Sequence, residues 1–258
     1  MSSSIQGQGR QTPPPQPAAA WQQHLLQWQQ QRCDEAVADI FGYHSLQLGW
    51  PALQALRCNR MPRRWLAAQA TDLGDRADTC QLPAGAHLVC HPEALPFPEA
   101  SLDLLVLPHT LERCQQPHAA LREVARVLVP EGRVLIFGMN PWSIWGAQHA
   151  LERPQGLNAA RALSYFRLRD WLQLLQLEVL ATDFGCHGPA LDSRIWSGRW
   201  RWMDALGERA WPVLGGAYCV LAVKRVQGVR LLGPSWRRQP VQAQAAAAAA
   251  RKNLGKKT

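Results

Sequence analysis

The sequence has no apolar run long enough to span a bilayer, no C-x-x-C pair and no acidic residue after Val226. The first absence argues against a helical membrane span, which needs about 20 predominantly apolar residues. The start of the chain, Met1 to Pro17, is polar and proline-rich and lacks the apolar stretch of a secretory signal. The second absence argues against a zinc ribbon. The seven cysteines are scattered and odd in number, which argues against a secreted disulfide framework. Free thiols in a reducing compartment are expected instead, so the chain reads as soluble and cytoplasmic. The third absence locates the charge. Of a net +9, seven positive charges (Arg230, Arg237, Arg238, Arg251, Lys252, Lys256 and Lys257) lie beyond Val226. The residues that precede them are together close to neutral. A nucleic-acid partner is therefore expected only through this tail, and charges of that kind more often simply solvate a flexible segment.

The residues that are present divide into three segments. Residues 1–19 are rich in Ser, Gln and Pro and are expected to be disordered. Residues 20–225 carry the periodicities of one folded domain, and 226–258 form a basic, flexible tail. Within the domain a helix is predicted over Ala20 to Ile40, with Trp21, Leu25, Trp28 and Arg32 on one face and glutamines on the other. Strands are expected at Ser45–Leu48, Arg64–Ala68, Ala86–Cys90, Leu102–Leu107, Arg133–Gly138, Glu178–Thr182 and Ala217–Lys224. Helices are expected from Pro51 to about Arg60, from Pro117 to Leu128 and from Arg167 to Gln176, with Pro130-Glu131-Gly132 as a stop. The stretch between Ala70 and Gly85 lacks helical periodicity. This alternation predicts an α/β fold, a doubly wound and mostly parallel sheet. The short connection before Glu178 calls for an antiparallel strand near the sheet edge. A Trp- and Arg-rich insertion covers about 184–212.

Ligands of such sheets bind beyond the carboxyl ends of the strands. There the run from His91-Pro92-Glu93 through Leu95-Pro96-Phe97 to Ser101-Leu102-Asp103 precedes His109-Thr110-Leu111-Glu112. Leu121-Arg122-Glu123, Arg126-Val127-Leu128 and Pro130-Glu131-Gly132 then come in order. This pattern resembles the type 11 branch of the class I S-adenosylmethionine-dependent methyltransferases, over about Glu93 to Trp145. The resemblance implies a Rossmann-like methyltransferase fold and S-adenosyl-L-methionine as cofactor. The cofactor-binding positions it implies are Leu48, Gly49, Trp50, Gln69, His91, Glu93 and Pro108. The sequence departs from the pattern at three of the family's contacts. Its glycine-rich loop keeps Gly49 but has Pro51 and Leu53 at the next two glycine positions, and Gln47 at the acidic position of the strand. Gln69 replaces the carboxylate expected to hold the ribose, and His91 the one expected at the adenine.

Methyl transfer needs alignment more than acid–base chemistry, because the sulfonium is already a good leaving group. His109 and Asn140, with His187, are the acceptor-side candidates by position, His109 at the pocket mouth and facing it. His87 and His91 flank a strand too far apart for a metal pair, so no metal is expected. The function implied is methyl transfer to a small organic acceptor. The alternative is a methyltransferase-like module that binds or interacts without catalysis.

Overall fold

The computed structural model describes residues 18–69, 87–144, 146, 162–188 and 212–226. Of the segment 1–19 expected to be disordered, 1–17 lies outside the described residues while Ala18 and Ala19 open a helix; 70–86, residues 189–211 of the insertion expected over about 184–212, and the tail from 227 also lie outside them. By contacts the chain forms two units, Met1–Val226 and Gln227–Thr258. The first holds every helix and strand of the described residues.

In chain order these are α1 (Ala18–Ala38), β1 (His44–Leu48), β2 (Arg63–Gln69), β3 (Leu88–Cys90), β4 (Leu102–Pro108), α2 (Thr110–Arg113), α3 (Pro117–Val127), β5 (Leu128–Met139), α4 (Tyr165–Leu174), β6 (Leu177–Gly185), a 3-10 turn (Pro212–Leu214) and β7 (Ala217–Lys224). The seven described strands form one sheet in the order β3-β2-β1-β4-β5-β7-β6. The five strands from β3 to β5 are parallel, while β7 runs antiparallel to both β5 and β6. The antiparallel strand expected near the edge is thus β7, one place in from it.

The sheet is covered on both faces. Leu46, Leu48, Leu105, Leu107, Val134 and Ile136 point to the layer built by α3 and α4, where Leu121, Val124, Leu168 and Leu172 meet them. The alternate residues Leu104, Val106, Leu135, Phe137 and Cys219 face α1 through Cys33 and Val37. This two-sided burial is why β4 and β5 read as nearly continuous apolar runs. Asp103, the polar break in the β4 run, accepts the backbone N–H of Tyr43 at 2.8 Å and of His44 at 2.9 Å. It thereby fixes the start of β1 beside β4.

Three expectations are corrected. The segment after Pro51 is a set of turns, not a helix, because the carbonyls that would close helical bonds are taken by the Gln47 side chain. The Pro130–Gly132 stop falls inside β5, whose pairing with β4 shifts register between Leu102 and Leu104 and then resumes. Gly132 is required in that shift, since a Cβ there would meet the Val129 carbonyl at 2.8 Å. The glutamines of α1 do not all face solvent, because Gln29 is fully buried. The buried stripe is Trp21, Leu25, Gln29, Cys33 and Val37, each four residues from the last.

Candidate functional site at the carboxyl edge of the sheet

The strand ends Leu48, Gln69, Cys90, Pro108 and Met139 form one edge of the sheet. At β1 the chain turns through Gly49, at φ 84°, and Trp50, at φ 45°. Gly49 donates its N–H to the Ala67 carbonyl at 2.7 Å, which sets the turn against β2. A Cβ on Gly49 would lie 3.0 Å from Nε2 of Gln69. Glycine therefore lets the turn pack directly against the side chain at the end of β2. Gln69 is itself buried against that turn.

Gln47 organises the turns after β1. Its Nε2 donates to the carbonyls of Gly49 (3.2 Å), Trp50 (3.1 Å) and Leu53 (2.6 Å), and its Oε1 accepts the Ala55 N–H at 3.0 Å. A carboxylate in this place has no proton to donate to these carbonyls. The glutamine that departs from the family pattern is thus the residue that this loop, without its second and third glycines, folds around.

At the end of β4, His109 adopts a left-handed backbone, φ 54°. Its ring is completely buried. Nε2 lies 2.6 Å from the amide Nε2 of Gln29 on α1, and Nδ1 lies 3.1 Å from Oε2 of Glu112. The other Glu112 oxygen takes the N–H of Met139. A carboxylate can only accept, so the contact with Glu112 places the ring proton on Nδ1, and a neutral ring then offers Nε2 as an acceptor to the Gln29 amide. The Trp50 ring lies over the imidazole with centroids 5.1 Å apart. Next in sequence, Thr110 Oγ1 donates to the Leu48 carbonyl at 2.6 Å, joining the ends of β1 and β4. Close by, burial and then the Glu112 charge push the Tyr218 phenol well above its ordinary pKa.

The structure brings together Leu48, Gly49, Trp50, Gln69, Pro108 and His109, and gives other work to the rest. His109 does not face an open pocket mouth, because α1 lies on it. Asn140 is not a free acceptor-side group. Its Nδ2 donates to the carbonyls of Val213 (2.7 Å) and Gly215 (3.0 Å), and its Oδ1 accepts the Trp142 N–H at 3.1 Å. Both ends of its amide are used to clamp the loop after β5 to the strand that returns as β7. Glu93 accepts the Gln116 N–H at 2.8 Å, at the start of α3. His91 is exposed in a tight turn closed by Ala94. His187 is buried. Among the described residues, no group of three His, Cys, Asp or Glu side chains is placed to hold a metal ion.

Two residues of the site carry no role in the sequence reading. Gln29 was detectable from the four-residue stripe in α1, where it comes after Trp21 and Leu25. Glu112 was detectable from its place three residues after His109, one helical turn away.

A sheet of this order, with one antiparallel strand inserted next to the edge, is the class I methyltransferase fold. Residues 65–136 match the family described as "Methyltransferase domain". A curated relative, the uncharacterized protein YafS of Escherichia coli K12, is 41% identical over 92 residues, covering 34% of this chain and 38% of that protein. The aligned part thus spans well under half of that relative. Among solved structures, the putative methyltransferase in a complex with the Trm112 activator from Haloferax volcanii aligns with TM-score 0.53 at 18% identity, over 82% of this chain and 95% of that one. A possible histamine N-methyltransferase from Thermotoga maritima aligns with TM-score 0.52 at 13% identity, over 80% and 97%. An S-adenosylmethionine-dependent methyltransferase from Archaeoglobus fulgidus gives 0.51 at 15% identity, over 77% and 94%. At these identities the shared property is the fold alone. No helix among the described residues is long and apolar enough to cross a membrane.

Proposed function

We propose that this domain is an S-adenosylmethionine-dependent methyltransferase acting on a small organic acceptor in a reducing cytoplasm. The observation that carries the reading is the glycine turn at the end of β1, where Gly49 at φ 84° packs directly on Gln69 at the end of β2. It stands at the strand edge where this fold takes its ligand, within the matched methyltransferase segment or directly beside it. The residues fit the cofactor with a changed polarity. The loop carbonyls are engaged by Gln47, so Gln69, the exposed imidazole of His91 and the face of Trp50 are the groups that would hold it. The bound group would supply an activated methyl carbon; the chain would supply alignment and the exclusion of water.

A second reading, a methyltransferase-like module without catalysis, draws support from one observation: α1 and Trp50 together enclose His109 completely. Calorimetric titration with S-adenosylmethionine separates the two. Micromolar binding that disappears in Gly49→Asp supports the enzyme. Heat-neutral titration of protein with an intact cooperative melt supports the module.

A further inference from the structure

The buried chain from Gln29 through His109 and Glu112 to the Met139 N–H joins α1, the end of β4, α2 and the end of β5. It is built as a base with a positioning partner. Glu112 is fixed at both oxygens, one on a backbone N–H and one on Nδ1, and so cannot swing away from the imidazole. With the proton on Nδ1, Nε2 carries the lone pair, and that lone pair faces away from Glu112 toward α1. The group that meets it there is an amide N–H at 2.6 Å, the same kind of donor as the O–H or N–H of a methyl acceptor. Gln29 also leaves a mark of incomplete fit, since its Oε1 is buried without a hydrogen-bond partner. Buried acceptors in native proteins are nearly always satisfied. Exchanging the isosteric O and N of this amide would pair the oxygen only if Nε2 of His109 carried a proton, so the tautomer of His109 and the orientation of Gln29 are set together.

We propose that His109 is the base that takes the acceptor's proton, that Glu112 is the residue that fixes its tautomer, and that Gln29 holds the acceptor's place while α1 is closed. This rests on the methyl-transfer reading. In the step, the acceptor's heavy atom forms its bond to the methyl carbon as the carbon–sulfur bond breaks and its electron pair stays on sulfur. The acceptor's proton passes to Nε2 of His109, and the imidazolium is held against the Glu112 carboxylate. For the acceptor to reach Nε2, the middle of α1 must lift. Besides the buried stripe of α1, Trp28 packed on Gly185 resists that lifting, at a point where β6 has no side chain of its own to offer.

Two measurements on the full chain test this without turnover. In protein with ¹⁵N-labelled histidine at pH 7.5, His109 is expected as the neutral Nδ1–H tautomer in wild type. That signature is expected to be weakened or mixed in Glu112→Gln and restored in Glu112→Asp. Diethyl pyrocarbonate, which acylates an accessible unprotonated imidazole nitrogen, is expected to leave wild-type His109 untouched. It should modify His109 at least tenfold faster in Gln29→Ala and in Gly185→Ala, two changes that loosen α1 from different sides. A Nε2–H tautomer or an imidazolium in wild type overturns the proposal. So does unchanged protection of His109 in both folded variants. Failure of the methyl-transfer reading shows separately, as absence of S-adenosylmethionine binding in the calorimeter whatever the tautomer.

Discussion

Three backbone carbonyls converge on one side-chain amide at Gln47, and this decides how the loop after β1 is held. The amide carries only two protons, so the bonds to Gly49, Trp50 and Leu53 are shared, with Leu53 at 2.6 Å the shortest. Gln47→Glu keeps the length and replaces the donor by an acceptor that is charged at neutral pH. Buried carbonyls left facing a carboxylate cost about 1–3 kcal/mol each, more where a charge is involved. The expected loss is therefore at least about 3 kcal/mol, read as a lower urea midpoint at pH 7.5. It should partly recover near pH 4, where a protonated carboxyl can donate one bond. Gly49→Ala is a second residue-scale case. The left-handed backbone costs a side chain about 1–2 kcal/mol, and the new methyl presses on Gln69 at 3.0 Å. Calorimetry and thermal melts together should show a melting temperature lower by several degrees and S-adenosylmethionine affinity reduced at least tenfold.

At the scale of elements, α1 is held by its apolar stripe and by the groove it crosses. Trp21 and Leu25 pack with Met139, Cys186 and Ala217, and Trp28 fits over Gly185. A methyl at position 185 meets the indole directly, so Gly185→Ala should lower stability by about 1–3 kcal/mol through overpacking. Amide exchange should then rise first in α1 and the 49–55 turn, leaving β4 and β5 protected. The same division separates the elements that were legible in the sequence from those that were not. The strands β4 and β5 and the helix α3 could be read because two-sided burial writes continuous apolar runs, and one-sided burial writes a 3.6-residue period. The turns after Pro51 could not, because they depend on Gln47 reaching forward by up to eight residues, a tertiary choice that overrides the local promise of Pro51. The positions of Gly49 and His109 at the carboxyl edge of the sheet were also legible. The enclosure of His109 was not, since its partner Gln29 lies 80 residues away on an element whose glutamines look solvated.

For the whole molecule, burial rather than charge governs the response to pH. Among the described residues the arginine–carboxylate pairs, such as Arg126 with Glu123 and Arg57 with Asp34, reach solvent and are screened by water and salt. The thiols are different. All six described cysteines are free, and all but Cys58 are buried. Desolvation pushes Cys90 up to about 11 and Cys114 up to about 12, and raises Cys33 and Cys219 well above their ordinary value. The Tyr218 phenol moves the same way. Each group is raised above its unfolded value, so its contribution is complete below about pH 9 for the thiols, or about pH 10 for the phenol. That contribution is lost as pH climbs toward the folded values, because the unfolded chain releases its protons first. The urea midpoint should therefore hold level from pH 7 to about 8.5 and fall steadily between about 9 and 11. Replacing Cys90 and Cys114 together by Ala should flatten part of that fall while lowering the plateau. A midpoint that stays level to pH 11 would mean that these thiols are reached by water in the native protein. Ellman's reagent at pH 8 gives the independent reading. Of the six, Cys58 should react on mixing, and the other five only at the rate at which the sheet opens.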